Sequence, residues 1–311
     1  MPPAVSNSTT RLDVCPPARK GVGFRLESVE LVGLRIHHPK FYLHQVMTDA
    51  FRDDLAYIHD AGFGGLARAA GPVLVAGLQR RGFAGGLVVD LGCGSGIVSR
   101  AVAEAGYDVL GIDLSPAMVA LARERVPSGT FRVGSVIATE IPRCIAVAAI
   151  GEVFNYLFDS ENNAATLAAL WRRIHAALVP GGLLLFDVAG PGRVPGRGPR
   201  RIFAEGDDWA VLATLEEDAT RRILTRSITS FRQVGELFRR DREVHRQRLL
   251  PPTEVAEELR AIGYRVRVVR GHGSERFPVG LAGFLASKPK RSRSGRWVAE
   301  PGGIDEAAGL G

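Results

Sequence analysis

Between residues 87 and 188 the chain alternates short apolar runs with amphipathic stretches, and this rhythm constrains its fold more than any other feature. Residues 87–90, 108–112, 130–133, 144–150 and 182–188 have the length and apolar content of strands. Residues 97–105, 116–125 and 162–178 have helical spacing, with Leu167, Leu170, Ile174 and Leu178 on one face of the last. Strands that alternate with helices build βαβ units, and so a parallel sheet covered on both faces. Upstream, Phe41, Val46, Met47, Ala50, Phe51, Leu55 and Ile58 recur at helical spacing, and a second helix over 66–81 stops at Gly82. Downstream of the Pro/Gly-rich loop 191–199, residues 209–215, 222–231 and 236–249 read as three strands. Charged and apolar residues alternate there, as in an antiparallel sheet with one wet face. A helix over 253–262, capped by Thr253 and stopped by Gly263, and strands over 265–269 and 281–286 complete the pattern.

The first strand runs into Val88-Val-Asp-Leu-Gly-Cys-Gly-Ser-Gly96. A ligand that lies against the backbone where a strand turns into a helix needs positions without a Cβ, and Gly92, Gly94 and Gly96 supply them. The next strand ends in Gly111-Ile-Asp113-Leu-Ser115, 17 residues past Gly96. A carboxylate there can grip both hydroxyls of a ribose. Together the two features point to a nucleoside-containing ligand. The dinucleotide fingerprint wants glycine where Ile97 stands. Asp90, two residues before Gly92, would face a pyrophosphate unfavourably and suits a ligand with a positively charged amine.

Asp90-Leu-Gly-Cys-Gly-Ser-Gly96, Asp113-Leu-Ser-Pro-Ala-Met118 and Leu178-Val-Pro-Gly-Gly-Leu183 resemble, in order and spacing, the signature segments of class I S-adenosylmethionine-dependent methyltransferases. The resemblance covers residues 55–190 well and 200–286 loosely. It implies an α/β fold, a Rossmann-like seven-stranded methyltransferase sheet with its last strand antiparallel and helices on both faces. A helical N-terminal cap and an antiparallel β insertion over about 200–250 would be added to it. It implies S-adenosylmethionine as cofactor, with Gly92, Cys93, Gly94 and Gly96 around the methionine part and Asp90 near its amino group. Asp113 would bind the ribose, and Leu114 and Met118 would flank the adenine. The family often carries an acid after the third strand that faces the adenine amine; here the segment is Val133-Gly-Ser-Val136, so the resemblance gives Ser135 that role beside Val136. Ile145 stands where the fourth strand often begins with Asp.

Glu152 follows the apolar fourth strand at the edge where open α/β sheets bind ligands, so it joins the expected cofactor set; its other reading is a cap for the next segment. Asn155 and Tyr156 follow as substrate contacts, although Tyr156 also suits simple packing. Asp187 ends the fifth strand at the same edge. Arg193, in the next loop, could clamp a carboxylate or phosphate, or serve as a surface arginine. His59 lies in the segment that the resemblance would place as a lid, and His245 on a strand over the crevice. The expected reaction is in-line methyl transfer to N or O, with C left open, of a small molecule. Glu152, His245 and Asp187, in that order, are the candidate bases. A methyltransferase acting on RNA and a non-catalytic cofactor-binding module are the alternatives, and a nicotinamide-linked oxidoreductase is disfavoured by Ile97 and Asp90.

Composition trims the remaining classes. The 311 residues fit one large domain or two small ones, and 46% hydrophobic with 23% charged residues is ordinary for a globular chain. Cys15, Cys93 and Cys144 are too few and too dispersed for a disulfide scaffold or a zinc module, and His37-His38 lacks partners at ligand spacing, so no metal is expected. No stretch reaches 18 uncharged apolar residues and the N-terminus has no apolar signal core, so a cytoplasmic protein without membrane contact is expected. Residues 1–40 read as a disordered extension, 41–286 as the methyltransferase domain, and 287–311 as a disordered basic tail. The net charge of +7 raises a nucleic-acid reading. Yet Lys288, Lys290, Arg291, Arg293 and Arg296 sit in that tail, and the arginines of 200–250 alternate with acids as a wet face. The charge reads as peripheral.

Overall fold

The computed structural model describes residues 50–196 and 198–290. The chain alternates as the sequence implies: α1 (Asp53–Gly62), α2 (Gly65–Arg80), β1 (Leu87–Leu91), α3 (Ile97–Glu104), β2 (Asp108–Asp113), α4 (Pro116–Arg125), β3 (Thr130–Val133), β4 (Cys144–Ala149), α5 (Ala164–Ala177) and β5 (Leu178–Ala189). There follow β6 (Arg200–Glu205), β7 (Trp209–Asp218), β8 (Ile223–Val234), β9 (Leu237–Arg248), α6 (Pro252–Ile262), β10 (Arg265–Val269), the short β11 (Gly271–His272) and β12 (Glu275–Arg276), and β13 (Leu281–Ser287). Seven strands form one sheet in the order β10-β13-β5-β4-β1-β2-β3. β1 pairs parallel with β2 and β4, and β4 with β5. β13 runs antiparallel between β5 and β10.

β4 shows why the sheet is buried on both faces: every residue of CIAVAA is buried. One face packs Leu170, Trp171 and Ile174 of α5 and Leu259 of α6 against Val147 and Phe186. The other packs Leu74 and Leu78 of α2, Val98 and Val102 of α3 and Val119 of α4 against Val88 and Ala146. Burial at about 25 cal/mol per Å² of apolar surface makes this two-sided covering the main stabilising contribution. α5 starts on Asn163, whose side chain accepts from the Ala165 and Thr166 amides.

β6–β9 form a separate four-stranded antiparallel sheet in sequence order. Its β6 was absent from the sequence reading, because RRIFAE is almost wholly exposed and carries no apolar alternation. The Thr253 cap is a correction: α6 begins at Pro252 after Pro251, and no side-chain cap bond is made. Proline's fixed φ sets the first turn instead. The tail boundary also moves. Ser287 closes β13, and the Lys288 ammonium donates to the carbonyls of His175 and Leu178 at 2.8 and 2.7 Å, at the C-terminal end of α5. The expected extension 1–40, the helical positions 41–49 and the tail from 291 lie outside the described residues. Among the described residues no single helix is long and apolar enough to cross a membrane.

Candidate active site

The chemistry begins where β1 ends. Gly92 takes φ +63° and is packed so closely that an added Cβ would lie 2.6 Å from Val153. Gly94, at φ +51°, is different: its Cβ would meet nothing nearer than the Met118 sulfur at 4.0 Å. Packing demands the first glycine, whereas the second keeps backbone open to a cavity. The Asp113 carboxylate at the end of β2 ties the two loops together. One oxygen accepts the Gly94 amide and the other the Ser115 amide, both at 2.9 Å. Burial pushes its pKa up, against those backbone donors. Ser115 caps α4 by accepting the Met118 amide at 3.2 Å, and donates to the Phe51 carbonyl at 2.8 Å.

The cavity has about 760 Å³ of empty space, its open mouth included. Gly92 and Gly94 line its floor, with Asp113, Leu114 and Met118 to one side and Val136 and Ile137 beyond them. Ile150, Gly151 and Val153 line it at the end of β4. Phe51, His59, Tyr156 and Phe158 add aromatic rings, and Asp159 and Asn162 complete the wall. Burial drives the His59 imidazole down to about 4, with Asp60 opposing, and the Tyr156 phenol up to about 12, with Arg226 opposing. Both are therefore neutral at pH 7.

Of the sequence candidates for the cofactor, Gly92, Gly94, Asp113, Leu114, Met118 and Val136 line this cavity. Four others stand behind it. Asp90 is buried and accepts the Ser99 hydroxyl at 2.6 Å; burial pushes it up to about 7, with Ser99 opposing and Asp113 adding. Cys93 is buried against Gly111 and burial raises its thiol, so it fills space. Gly96 abuts Ala122. Ser135 donates to Asp159, which lines the wall, and accepts the Ile137 and Ala138 amides.

The catalytic and substrate candidates are mostly engaged by protein partners. Glu152 is buried, in the left-handed region at φ +62°, and off the cavity wall. Its carboxylate pairs with Arg226 at 2.6 Å and Arg193 at 3.2 Å, and accepts from Gln247 at 2.8 Å. Burial alone would raise its pKa, but the two guanidiniums and Gln247 hold it below the usual carboxylate range. A carboxylate held this way is a poor proton acceptor. Asp187 is fully buried and accepts the Gly151 and Glu152 amides, which fixes the turn after β4. Asn155 spends its amide on Ala189 and on the Arg248 carbonyl, joining β5 to β9. Arg193 is occupied by Glu152 and the Val279 carbonyl. His245 lies behind the wall, its ring 4.8 and 4.7 Å from Phe51 and Phe158 and bonded to Glu243 at 2.8 Å. Tyr156 alone of the expected substrate contacts lines the cavity.

On β9 the arginines Arg239, Arg240, Arg242 and Arg246 are exposed, as the wet-face reading expects, while the other face buries Glu243, His245 and Gln247. Glu243 accepts the Phe51 and Arg52 amides at 2.9 Å each, which seats Phe51, at φ +51°, over the cavity. No local pattern marks these residues, because their partners lie about 190 positions away. Among the described residues no group of three or more His, Cys, Asp or Glu side chains could hold a metal ion.

Residues 88–182 match the model of a methyltransferase domain family. The Bacillus subtilis protein YqeM, itself named as a methyltransferase, is 28% identical over 222 residues, 67% of this chain and 85% of its own length. The ubiquinone biosynthesis O-methyltransferase of Pseudomonas aeruginosa is 34% identical over 110 residues, 33% of this chain and 44% of its own. Among solved structures, an S-adenosylmethionine-dependent methyltransferase from Clostridium acetobutylicum superposes with TM-score 0.63 at 16% identity, covering 75% of this chain and 96% of that one. The S-adenosylmethionine-bound amino pentose methyltransferase CalS10 from Micromonospora echinaspora gives 0.59 at 22%, covering 75% and 95%. These structures share the fold with this chain. With the glycine turn, Asp113 and the seven-stranded sheet on the page, the chain carries a methyltransferase domain over residues 88–182 and is an S-adenosylmethionine-dependent methyltransferase. S-adenosylmethionine is its methyl donor, and the open space over Gly94 fits a ligand lying on the backbone there.

Proposed function

We propose that this methyltransferase acts on N or O of a small molecule whose reacting part carries no negative charge. One observation carries the reading: the cavity wall has aromatic rings and no Lys or Arg among its described residues. The nearby guanidiniums of Arg193 and Arg226 are both engaged by Glu152 and stand off the wall. An anionic group brought here would lose its hydration without a counter-charge. An RNA substrate would need phosphate-pairing cations along the approach. The Pseudomonas aeruginosa relative, named for ubiquinone biosynthesis, is consistent with a small acceptor.

In this reading Asp113 holds the ribose, Gly92 and Gly94 take the methionine part, and Leu114, Met118 and Val136 flank the base. Asp90 acts from beneath, as the negative charge nearest the amino group. The bound sulfonium supplies an already activated methyl, so the chain's task is alignment and exclusion of water. Phe51, Tyr156 and Phe158 serve both. An acceptor that starts protonated meets on the wall only the neutral His59 imidazole, a weak base because burial holds it at about 4, with His245 behind Phe51. The test is transfer of an isotope-labelled methyl group to small-molecule and RNA fractions side by side. Label in the small-molecule fraction is expected. Label confined to RNA, with tight salt-sensitive RNA binding, would replace this reading with the nucleic-acid one.

A further inference from the structure

The two edges of the four-stranded sheet are in different states. β9 is covered by the rest of the chain: the Leu157 amide donates to the Arg246 carbonyl at 2.9 Å, Asn155 to the Arg248 carbonyl at 2.6 Å, and Arg52 to the Arg242 carbonyl at 2.8 Å. β6 is open. Among the described residues its only hydrogen-bonding neighbour is β7. Alternate residues of such a strand direct amide and carbonyl outward, as a template for another strand. β6 also exposes apolar surface, with Phe203 61% and Ile202 37% exposed.

Charge on an edge usually blocks pairing, and Arg200 and Arg201 do so against an arbitrary strand. Against a second β6 running antiparallel, Arg201 does the opposite. Arg201, Phe203 and Glu205 alternate onto one face of the sheet, the face that carries Leu212 and Val244. Ile202 and Ala204 point to the other, where Ala204 packs on the cluster of Trp209 and Val211. A two-fold axis beside Phe203, perpendicular to the sheet, keeps both faces continuous. It sets Phe203 against Phe203 of the second copy, and each Arg201 against the other copy's Glu205. Directly opposed side chains share a face, so two ion pairs flank an aromatic pair. Moving the register two residues either way sets Phe203 against a charged side chain. Neither Arg201 nor Glu205 has an ion-pair partner among the described residues.

We propose that β6 is a docking edge for a second copy of this chain, paired antiparallel and centred on Phe203, which joins two four-stranded sheets into one of eight strands. A patch complementary to itself is what a two-fold interface requires. The strand supplies 6 residues from each copy. Such a contact is small, so the dimer is weak, with a dissociation constant of about 1–100 µM. No residue of β6 lines the cofactor cavity, so the inference stands whatever acceptor the enzyme methylates.

The test is sedimentation equilibrium of the full chain from about 1 to 200 µM. The mean mass should rise from one chain toward two. Arg201→Glu and Glu205→Arg each turn both ion pairs into repulsions, and each should weaken self-association by roughly 10-fold or more. An equimolar mixture of the two variants restores opposite charges at both places, and should associate within about 3-fold of the wild type. Association lost through a change of fold would not return on mixing. A monomer at every concentration would overturn the proposal. So would a dimer indifferent to both substitutions, which would lie on another surface, or a mixture no tighter than either variant alone.

Discussion

The floor and the roof of the cavity are built by different rules. The floor, from β1 through α4, is local: Gly94, Asp113, Ser115 and Met118 are joined by bonds that span at most 19 positions. The roof is long-range: Phe51 is held by Glu243 across 192 positions, and Glu152 by Arg226 and Gln247 across 74 and 95. A ligand that lies on backbone requires glycines and a carboxylate at fixed spacing, so the floor is written as a motif. A roof needs only shape and a closed set of charges, which many sequences satisfy. The buried groups of the floor are strained by burial, as Asp90 shows, whereas those of the roof are compensated by partners, as Glu152 shows.

That contrast sets the size of the expected effects. Glu152→Ala leaves the largely buried Arg193 and Arg226 without a counter-charge, and should cost about 3–5 kcal/mol in chemical denaturation. The double variant Glu152→Gln with Arg226→Met should recover a large part of this. A loss below about 1 kcal/mol in Glu152→Ala would remove the roof network from the account.

Asp90 should give the next largest effect, and it depends on pH. Its folded-state pKa, about 7, lies above the ordinary aspartate value of 3.8. The folded protein therefore holds the proton more tightly than the unfolded chain. Its contribution to stability is complete below about pH 4 and is lost as pH rises through 7. Asp90→Asn, which keeps an acceptor for Ser99, should match the wild type near pH 4. Near pH 8, in the absence of cofactor, it should exceed the wild type by roughly 2–4 kcal/mol. Parallel stability curves for the two proteins would contradict a strained floor. The smallest effect is at the start of α5: Asn163→Ala removes its cap and should cost about 1 kcal/mol in chemical denaturation.

The same contrast explains what could be read from the chain. The seven-stranded sheet was legible because apolar runs such as residues 144–150 and 182–188 are short, continuous and spaced by amphipathic helices. Gly92, Gly94, Asp113, Leu114, Met118 and Val136 were legible as residues of one cavity, because they lie at or just past the ends of consecutive strands of a parallel sheet. Glu152, Asp187 and Asn155 were located at the correct edge of the sheet, but their partners came from β5, β8, β9 and each other's backbone. Polarity at a sheet edge does not say whether a carboxylate faces a ligand or a guanidinium. The inward-facing positions of Glu243, Arg226 and Gln247 were not legible, because alternation gives the period of a strand and not which side is covered. Asp159 and Asn162 carried no signal beyond being polar residues in a loop.

The most direct measurement is calorimetric titration of S-adenosylhomocysteine into the wild type and into Asp113→Ala, with a thermal melt confirming that the variant is folded. Saturable binding by the wild type is expected, weakened by about 5–150-fold in the variant, as the loss of a ribose-gripping carboxylate requires. No binding by the wild type at millimolar ligand, or equal binding by both proteins, would contradict the floor as the cofactor site.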